Sequence, residues 1–250
     1  MTKYFMALVM LISTRAFAQD AAVLYKEGQN LDRALKEDEA FEKYKQVLAL
    51  EANNLPALVR CAELSAGIGA RLADKKAKKT YFDLSKDYAD KALAANANSA
   101  DANYARAVAA GKQTEVETDN KKIVANVKDI NVYATKALSI NPNHGRANYV
   151  LGKWHYEMAS LMWAKRAALK VFFGGMPESS IEDAIKYMEK AKALEPYFVR
   201  NFLDLAKAYK YDNKPAKAIE VLNQLVKLPN RTADDVALKA EGKKLLTEMQ

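Results

Sequence analysis

Cysteine is almost missing from this chain of 250 residues. Cys61 stands alone, which excludes an intrachain disulfide and a thiolate-rich metal site, so the fold must stand on packing. Histidine is nearly as scarce, with only His144 and His155. The chain has no pair of histidines four residues apart, the spacing a zinc protease helix needs. Nine glycines and six prolines exclude collagen-like sequence, and a hydrophobic share of 50% excludes disorder. Charge of one sign does not dominate: 39 Lys and Arg against 31 Asp and Glu leave +8. Residues 1–18 hold Lys3 and Arg15 and no acid, so the excess over the rest is +6, dispersed and without a long basic run. That balance argues against nucleic acid as a partner.

Long apolar runs are missing as well. The longest, from Tyr4 to Ile12, is about half the roughly 20 residues needed to span a bilayer. Lys3 precedes it, and Ala16-Phe17-Ala18 puts small residues where an export peptidase inspects the chain. Residues 1–18 therefore read as a signal peptide cleaved before Gln19. Residues 19–250 read as one soluble domain in a periplasm or outside the cell.

What is abundant is Ala, Lys, Leu and Glu, in segments whose apolar residues recur at spacings of three and four. The fold reads as all-α. A motif recurs in which an apolar helix end meets Asn or Pro: Val47-Leu48-Ala49-Leu50-Glu51-Ala52-Asn53, Ala92-Leu93-Ala94-Ala95-Asn96, Ala137-Leu138-Ser139-Ile140-Asn141-Pro142, and Ala191-Lys192-Ala193-Leu194-Glu195-Pro196. Each closes a second helix. The next first helix then brings a small residue to where two helices must approach closely, as at Ala62, Ala107, Gly152 and Ala206.

These positions resemble tetratricopeptide (TPR) repeats. Units start at Ala21, Leu55, Ala100, Gly145 and Val199, and the middle three carry insertions that leave the packing positions in register. Gly28, Ala40, Tyr44 and Val47 fit the pattern in the first unit, and Ala206, Tyr209, Ala218, Leu222 and Leu225 fit it in the fifth. The expected architecture is a right-handed α-α superhelix of about five TPR-like helix pairs with a capping helix over 232–250. The longest insertion is more specific. Gly152-Lys153-Trp154-His155-Tyr156-Glu157, Trp163-Ala164-Lys165-Arg166, Phe172-Phe173-Gly174-Gly175-Met176-Pro177 and Ser180-Ile181-Glu182-Asp183-Ala184 resemble the regulator of microtubule dynamics family, a divergent TPR-like group. Lys121-Lys122-Ile123-Val124-Ala125-Asn126 and the closing Leu228-Pro229 with Thr232-Ala233-Asp234-Asp235 match it too. The resemblance implies a non-enzymatic binding protein. A microtubule-related role comes with the resemblance alone, since an exported chain meets no microtubules.

Local chemistry sets the boundaries. Ser179 with Glu182, and Thr232 with Asp235, read as capping boxes. Gly174, Gly175 and Pro177 stop the helix before them. The last helix, about 233–249, turns Val236, Leu238, Leu245, Leu246 and Met249 inward and Lys239, Glu241, Lys243 and Lys244 to solvent.

Nothing points to covalent chemistry. His155 and Glu157 are two residues apart and face different sides of a helix, His144 reads as a solvated loop residue, and Cys61 falls on a packing position. Gly67-Ile68-Gly69 lacks the Lys-Ser/Thr that would make a phosphate loop. Glu115 and Glu117 belong to a charged face. No catalytic residue, metal or cofactor is expected.

Binding is the leading function, because stacked helix pairs expose a concave surface lined by their first helices. Carried over by TPR register, unit four contributes Arg146, Tyr149, Lys153 and Tyr156 to that groove, and unit five contributes Arg200, Leu203, Lys207 and Lys210. Units one and two contribute Ala22, Tyr25, Gln29, Asp32, Pro56, Val59, Glu63 and Ala66, so positive charge gathers in the C-terminal half. Convergent cations suit an acidic peptide or protein terminus. The alternative is a lipid or other amphiphile carrier, in which Trp154, Tyr156, Met158, Leu161, Met162, Trp163, Phe172, Phe173 and Met176 line a cavity holding an acyl chain.

Overall fold

The structure, a computed structural model, describes residues 20–161 and 174–250. The residues read as an export signal, and Met162, Trp163, Phe172 and Phe173 of the aromatic stretch, lie outside the described residues. Helices follow one another in antiparallel pairs: α1 (20–33) with α2 (Glu37–Leu50), α3 (Leu55–Arg71) with α4 (Lys75–Ala95), α5 (Ala100–Thr114) with α6 (Asn120–Ile140), α7 (Gly145–Ser160) with α8 (Ile181–Leu194), and α9 (Val199–Tyr211) with α10 (Pro215–Leu225). A last helix, α11 (Asp235–Glu248), follows. No strand occurs among the described residues. The fold is all-α and TPR-like, and α3, α5, α7 and α9 start at the residues the repeat register gives.

Contacts group these helices into two compact units, one ending at Ala97 and one running from Asn98 to Gln250. In the first, α1 packs on α2 through Ala21, Leu24 and Tyr25 against Tyr44, and α3 adds Ala57, Cys61, Leu64 and Ile68. Gly28 lets α1 approach so closely that a Cβ there would sit 2.9 Å from the Tyr44 ring. Asp32 accepts hydrogen bonds from the Tyr44 hydroxyl at 2.7 Å and from Arg60 Nη2 at 2.9 Å, which ties α1, α2 and α3 together. Leu35 holds φ at 59° in the tight turn before α2, and Asn213 holds 54° in the corresponding turn before α10. Asn tolerates that left-handed backbone better than Leu does.

In the second unit α6 packs on α5 and α7, α8 on α7 and α9, and α11 on α9 and α10. The largest core lies at its C-terminal end, where Phe202, Leu203, Leu205, Leu222 and Leu225 pack with Met188. Leu238, Leu245 and Leu246 of α11, with Met249 just past its end, lie over this core, while Val236 is 64% exposed and faces outward, contrary to its expected inward position. Gly242 brings α11 in: a Cβ there would lie 2.6 Å from Leu225.

The start of α8 differs by one residue from expectation. Ser180, not Ser179, caps it: its Oγ accepts from the Asp183 amide at 3.0 Å and donates to the Asp183 carboxylate at 3.0 Å. Asp183 thus takes the reciprocal place expected of Glu182. The second capping box forms only in half: the Asp235 carboxylate accepts from the Thr232 hydroxyl at 2.7 Å and from its amide at 2.9 Å, but the hydroxyl caps no amide, and α11 starts after Asp234 without a side-chain cap. His144 is not a solvated loop residue. Its Nδ1 accepts from the Ala147 amide at 3.0 Å, capping α7, and its Nε2 meets Asp101 at 3.0 Å on α5.

Candidate functional site

Three helices of the second unit, α7, α9 and α11, carry the residues that sequence register placed in a groove, together with those that complete it. α7 is positioned by its His144 cap and by Gly152, which stands against Met188 and Ala184 of α8. At its first turn the Arg146 guanidinium lies 3.8 Å over the Phe198 ring and 3.9 Å from Glu195. Tyr149 meets the same ring edge-on at 4.8 Å. α9 therefore docks on α7 through an aromatic contact capped by a cation.

Two of the eight expected groove residues belong to the interior. Leu203 is 1% exposed and packs in the C-terminal core, so it cannot line a binding surface. Tyr149 is 7% exposed, and its hydroxyl donates to Asp204 at 2.7 Å. Both follow from geometry: α9 is covered by α7, α8, α10 and α11, which buries Leu203, and Tyr149 of α7 is buried where it meets Phe198 and Asp204.

The cations are brought together, but not as free charges. Asp204, 6% exposed, lies beneath them. Lys153 Nζ is 3.4 Å from Asp204 and 3.0 Å from Glu157, and Lys207 Nζ is 3.8 Å from Asp204 and 2.8 Å from Glu241. Arg200 donates to Asp234 at 2.5 Å. Burial acts to lower the Lys153 pKa, but the Asp204 and Glu157 carboxylates outweigh it and hold it raised. Burial likewise pushes the Tyr149 phenol well above its usual range, with the Asp204 charge adding to it.

The accessible part of the array is an open cleft of about 550 Å3. From α7 and α9 come Tyr156, Lys207, Lys210 and Tyr211; from α11 come Glu241, Lys244, Leu245 and Glu248. Tyr156 and Tyr211 meet edge to face at 6.1 Å, and the Tyr211 hydroxyl donates to the Ala159 carbonyl at 3.1 Å. Lys210 and Lys244 have no carboxylate within ion-pair distance among the described residues, unlike the four other cations. Sequence register omits Tyr211, one residue past the last groove position, and assigns Lys244 only to the polar covering. The i, i+3, i+4, i+7 spacing of Glu241, Lys244, Leu245 and Glu248 is the available signal that they share a face.

Elsewhere, Met158, Leu161, Met176 and Pro177 border a second cleft of about 590 Å3. Trp154 is in the core, its indole N–H donating to the Val127 carbonyl at 2.9 Å. His155 stacks on Tyr187 with ring centres 5.6 Å apart, and burial lowers its pKa. Cys61 is fully buried and its thiol is pushed up to about 12, chiefly by burial, so it stays protonated and inert at neutral pH. In the first unit, Val59 and Ala66 are buried, and Asp32 and Glu63 both engage Arg60. No helix of the described residues is long and apolar enough to cross a membrane.

Residues 19–250 match the family described as regulator of microtubule dynamics protein 1-3. Regulator of microtubule dynamics protein 1 of Bos taurus is 28% identical over 242 residues, which cover 94% of this chain and 76% of the bovine one. The Mus musculus protein 1 is 31% identical over 163 residues, 64% of this chain and 53% of its own length. The chain thus spans about three quarters of the bovine relative but only about half of the murine one. Among solved structures, a thermophilic TPR protein of Thermus thermophilus superposes with a TM-score of 0.67 at 12% identity, covering 91% of this chain and 99% of that one. PilW, a type IV pilus biogenesis factor, gives 0.55 at 15% identity, covering 92% and 90%. At such identities the likeness concerns the fold alone. The helix pairs are of TPR type, and the relatives that the chain matches are named as regulators of microtubule dynamics. With the family match running from residue 19 to the last residue, the chain belongs to the regulator of microtubule dynamics protein 1-3 family.

Proposed function

We propose that the unit from Asn98 onward receives an extended acidic peptide or protein terminus in the cleft between α7, α9 and α11. The observation that carries this reading is the pair Lys210 and Lys244, two cations without carboxylate partners among the described residues, beside the apolar surfaces of Tyr156, Tyr211 and Leu245. A ligand carboxylate entering there gains charge-assisted hydrogen bonds without first breaking a native ion pair. Its neighbouring apolar side chain covers the tyrosine rings, where aromatic residues typically anchor an interface.

Reversing Lys153, Arg200 and Lys207 would break native bridges to Asp204, Glu241 and Asp234, so the test uses Lys210→Glu together with Lys244→Glu. Both changes leave existing ion pairs intact and should alter stability by no more than about 0.5 kcal/mol. Affinity for a dye-labelled oligoglutamate peptide, followed by fluorescence anisotropy, should fall at least about tenfold, and helical content by circular dichroism should not change. Unaltered affinity in the double variant contradicts the reading.

A second reading, amphiphile carriage, is supported by the cleft beside Met158, Leu161, Met176 and Pro177. Mass spectrometry of a solvent extract of the natively purified protein decides it: a bound lipid supports carriage and a lipid-free protein removes it.

A further inference from the structure

The capping helix presents the cleft with the same chemistry the cleft is proposed to bind. Glu241, Lys244, Leu245 and Glu248 share one face of α11, so two carboxylates and an apolar side chain look across at Lys207, Lys210 and Tyr156. Glu241 is already seated, 2.8 Å from Lys207 Nζ, while Asp204 holds the other side of that ammonium at 3.8 Å. A helix that only covers a core needs no carboxylate there. The placement is fixed by packing: Gly242 drives α11 against Leu225, and the preceding residue, Glu241, reaches Lys207. The cap does not depend on this bridge, because Arg200 binds Asp234, Lys239 Nζ donates to the Leu228 carbonyl at 2.6 Å, and four apolar residues of α11 and its C-terminal end lie on the core.

We infer that Glu241 is a built-in competitor for the anionic group of the cleft's ligand. It occupies Lys207 in the free protein and gives way when a ligand carboxylate arrives. The inference rests on the acidic-ligand reading above and deepens it: Lys210 and Lys244 make the first contact, and Lys207 becomes available only as Glu241 leaves. Ligands with one carboxylate then bind weakly, and those with two or more carboxylates in an extended segment are selected, because only they repay the broken bridge.

The test titrates dye-labelled oligoglutamate into the full chain and its Glu241→Gln, Glu220→Gln, Lys207→Met and Lys207→Met/Glu241→Gln variants. Glu220 is an exposed residue of α10 outside the cleft lining and controls for net charge. Glu241→Gln should tighten binding about fivefold, the scale of a partly exposed ion pair. Glu220→Gln should leave affinity unchanged, and the gain from Glu241→Gln should vanish in the Lys207→Met background. An unchanged or weaker Glu241→Gln complex, an equal gain from Glu220→Gln, or a gain that persists without Lys207 overturns the competitor role. Where the unaltered chain binds and Glu241→Gln brings no gain, only the competitor is lost. If neither the unaltered chain nor Glu241→Gln binds, the acidic-ligand reading falls with it.

Discussion

Replacing Gly152 with alanine should destabilise the protein by about 1–2 kcal/mol, and replacing it with valine by about 3 kcal/mol or more, although either side chain should help the isolated helix. Glycine within a helix costs roughly 0.5–1 kcal/mol relative to alanine, so propensity alone predicts a gain. Packing reverses the sign. A Cβ at position 152 would lie 2.8 Å from Met188 Cγ, 3.0 Å from the Ala184 carbonyl oxygen and 3.1 Å from the Met188 amide nitrogen. Two of those three atoms are α8 backbone, which cannot rotate away, and overpacking of this kind typically costs about 1–3 kcal/mol. Gly111 supplies the contrast. It also lies in a helix, α5, but a Cβ there would meet only Ile130 Cδ1 at 3.8 Å, an ordinary contact. Gly111→Ala should therefore stabilise by about 0.5–1 kcal/mol. Urea unfolding followed by circular dichroism reads both changes as midpoint shifts of opposite sign. Shifts of the same sign would mean that α7 and α8 do not approach as closely as described.

Removing the Asp204 carboxylate should cost about 2–3 kcal/mol. Most of this comes from one bond: the buried Tyr149 hydroxyl, 2.7 Å away, loses its acceptor, and leaving such a donor unsatisfied costs about 1–3 kcal/mol. The Lys153 and Lys207 ammoniums are partly exposed, so each contributes only a few tenths of a kcal/mol. Asp204→Asn, which keeps an acceptor for Tyr149, should lose about half as much as Asp204→Ala. The same bond has a pH signature. Burial and the Asp204 charge raise the folded-state Tyr149 pKa above the usual value of about 10. Below that value folded and unfolded chains both hold the proton, and the stabilisation is complete. Above it the unfolded chain releases the proton first, so stability falls as pH rises toward the folded-state pKa, by up to about 1.4 kcal/mol per pH unit from this group. Tyr149→Phe should lower stability at pH 7 and flatten the alkaline decline. An equally steep decline in that variant would remove Tyr149 as its source and point to the other groups whose pKa values burial raises, among them Tyr44, Cys61, Tyr88, Tyr156 and Tyr209.

The repeat register is legible in the sequence because it rests on interactions a few residues apart. The small residues at Gly28, Ala62, Ala107, Gly152 and Ala206 mark close helix approaches, and Asn, Ser and Asp at the turns mark helix starts. Ser99, Asp119 and Asn54 cap the helices that follow them, by side-chain bonds to amides two or three residues on. The pairing of charges is not legible. Arg200 meets Asp234, 34 residues away, and Lys207 meets Glu241 on the capping helix. Register places a lysine on a face but does not show which acid a later helix brings opposite it. Asp204 is a case in point. It lies one residue past Leu203 and one before Leu205, both buried, and sequence alone does not reveal that three cations and a phenol surround it. His144 escapes a sequence reading for a related reason: its neighbours Asn143 and Gly145 suggest a loop, while its ring has taken the place usually held by Ser, Thr, Asp or Asn at a helix start.

The most direct test of the acidic-ligand cleft is an amide chemical-shift titration of isotopically labelled protein with oligoglutamate. The shifts should concentrate at Tyr156, Lys207, Lys210, Tyr211, Glu241, Lys244 and Leu245, and should saturate together with one affinity. Shifts confined to other helices, or scattered among surface lysines without saturation, would contradict a binding site between α7, α9 and α11.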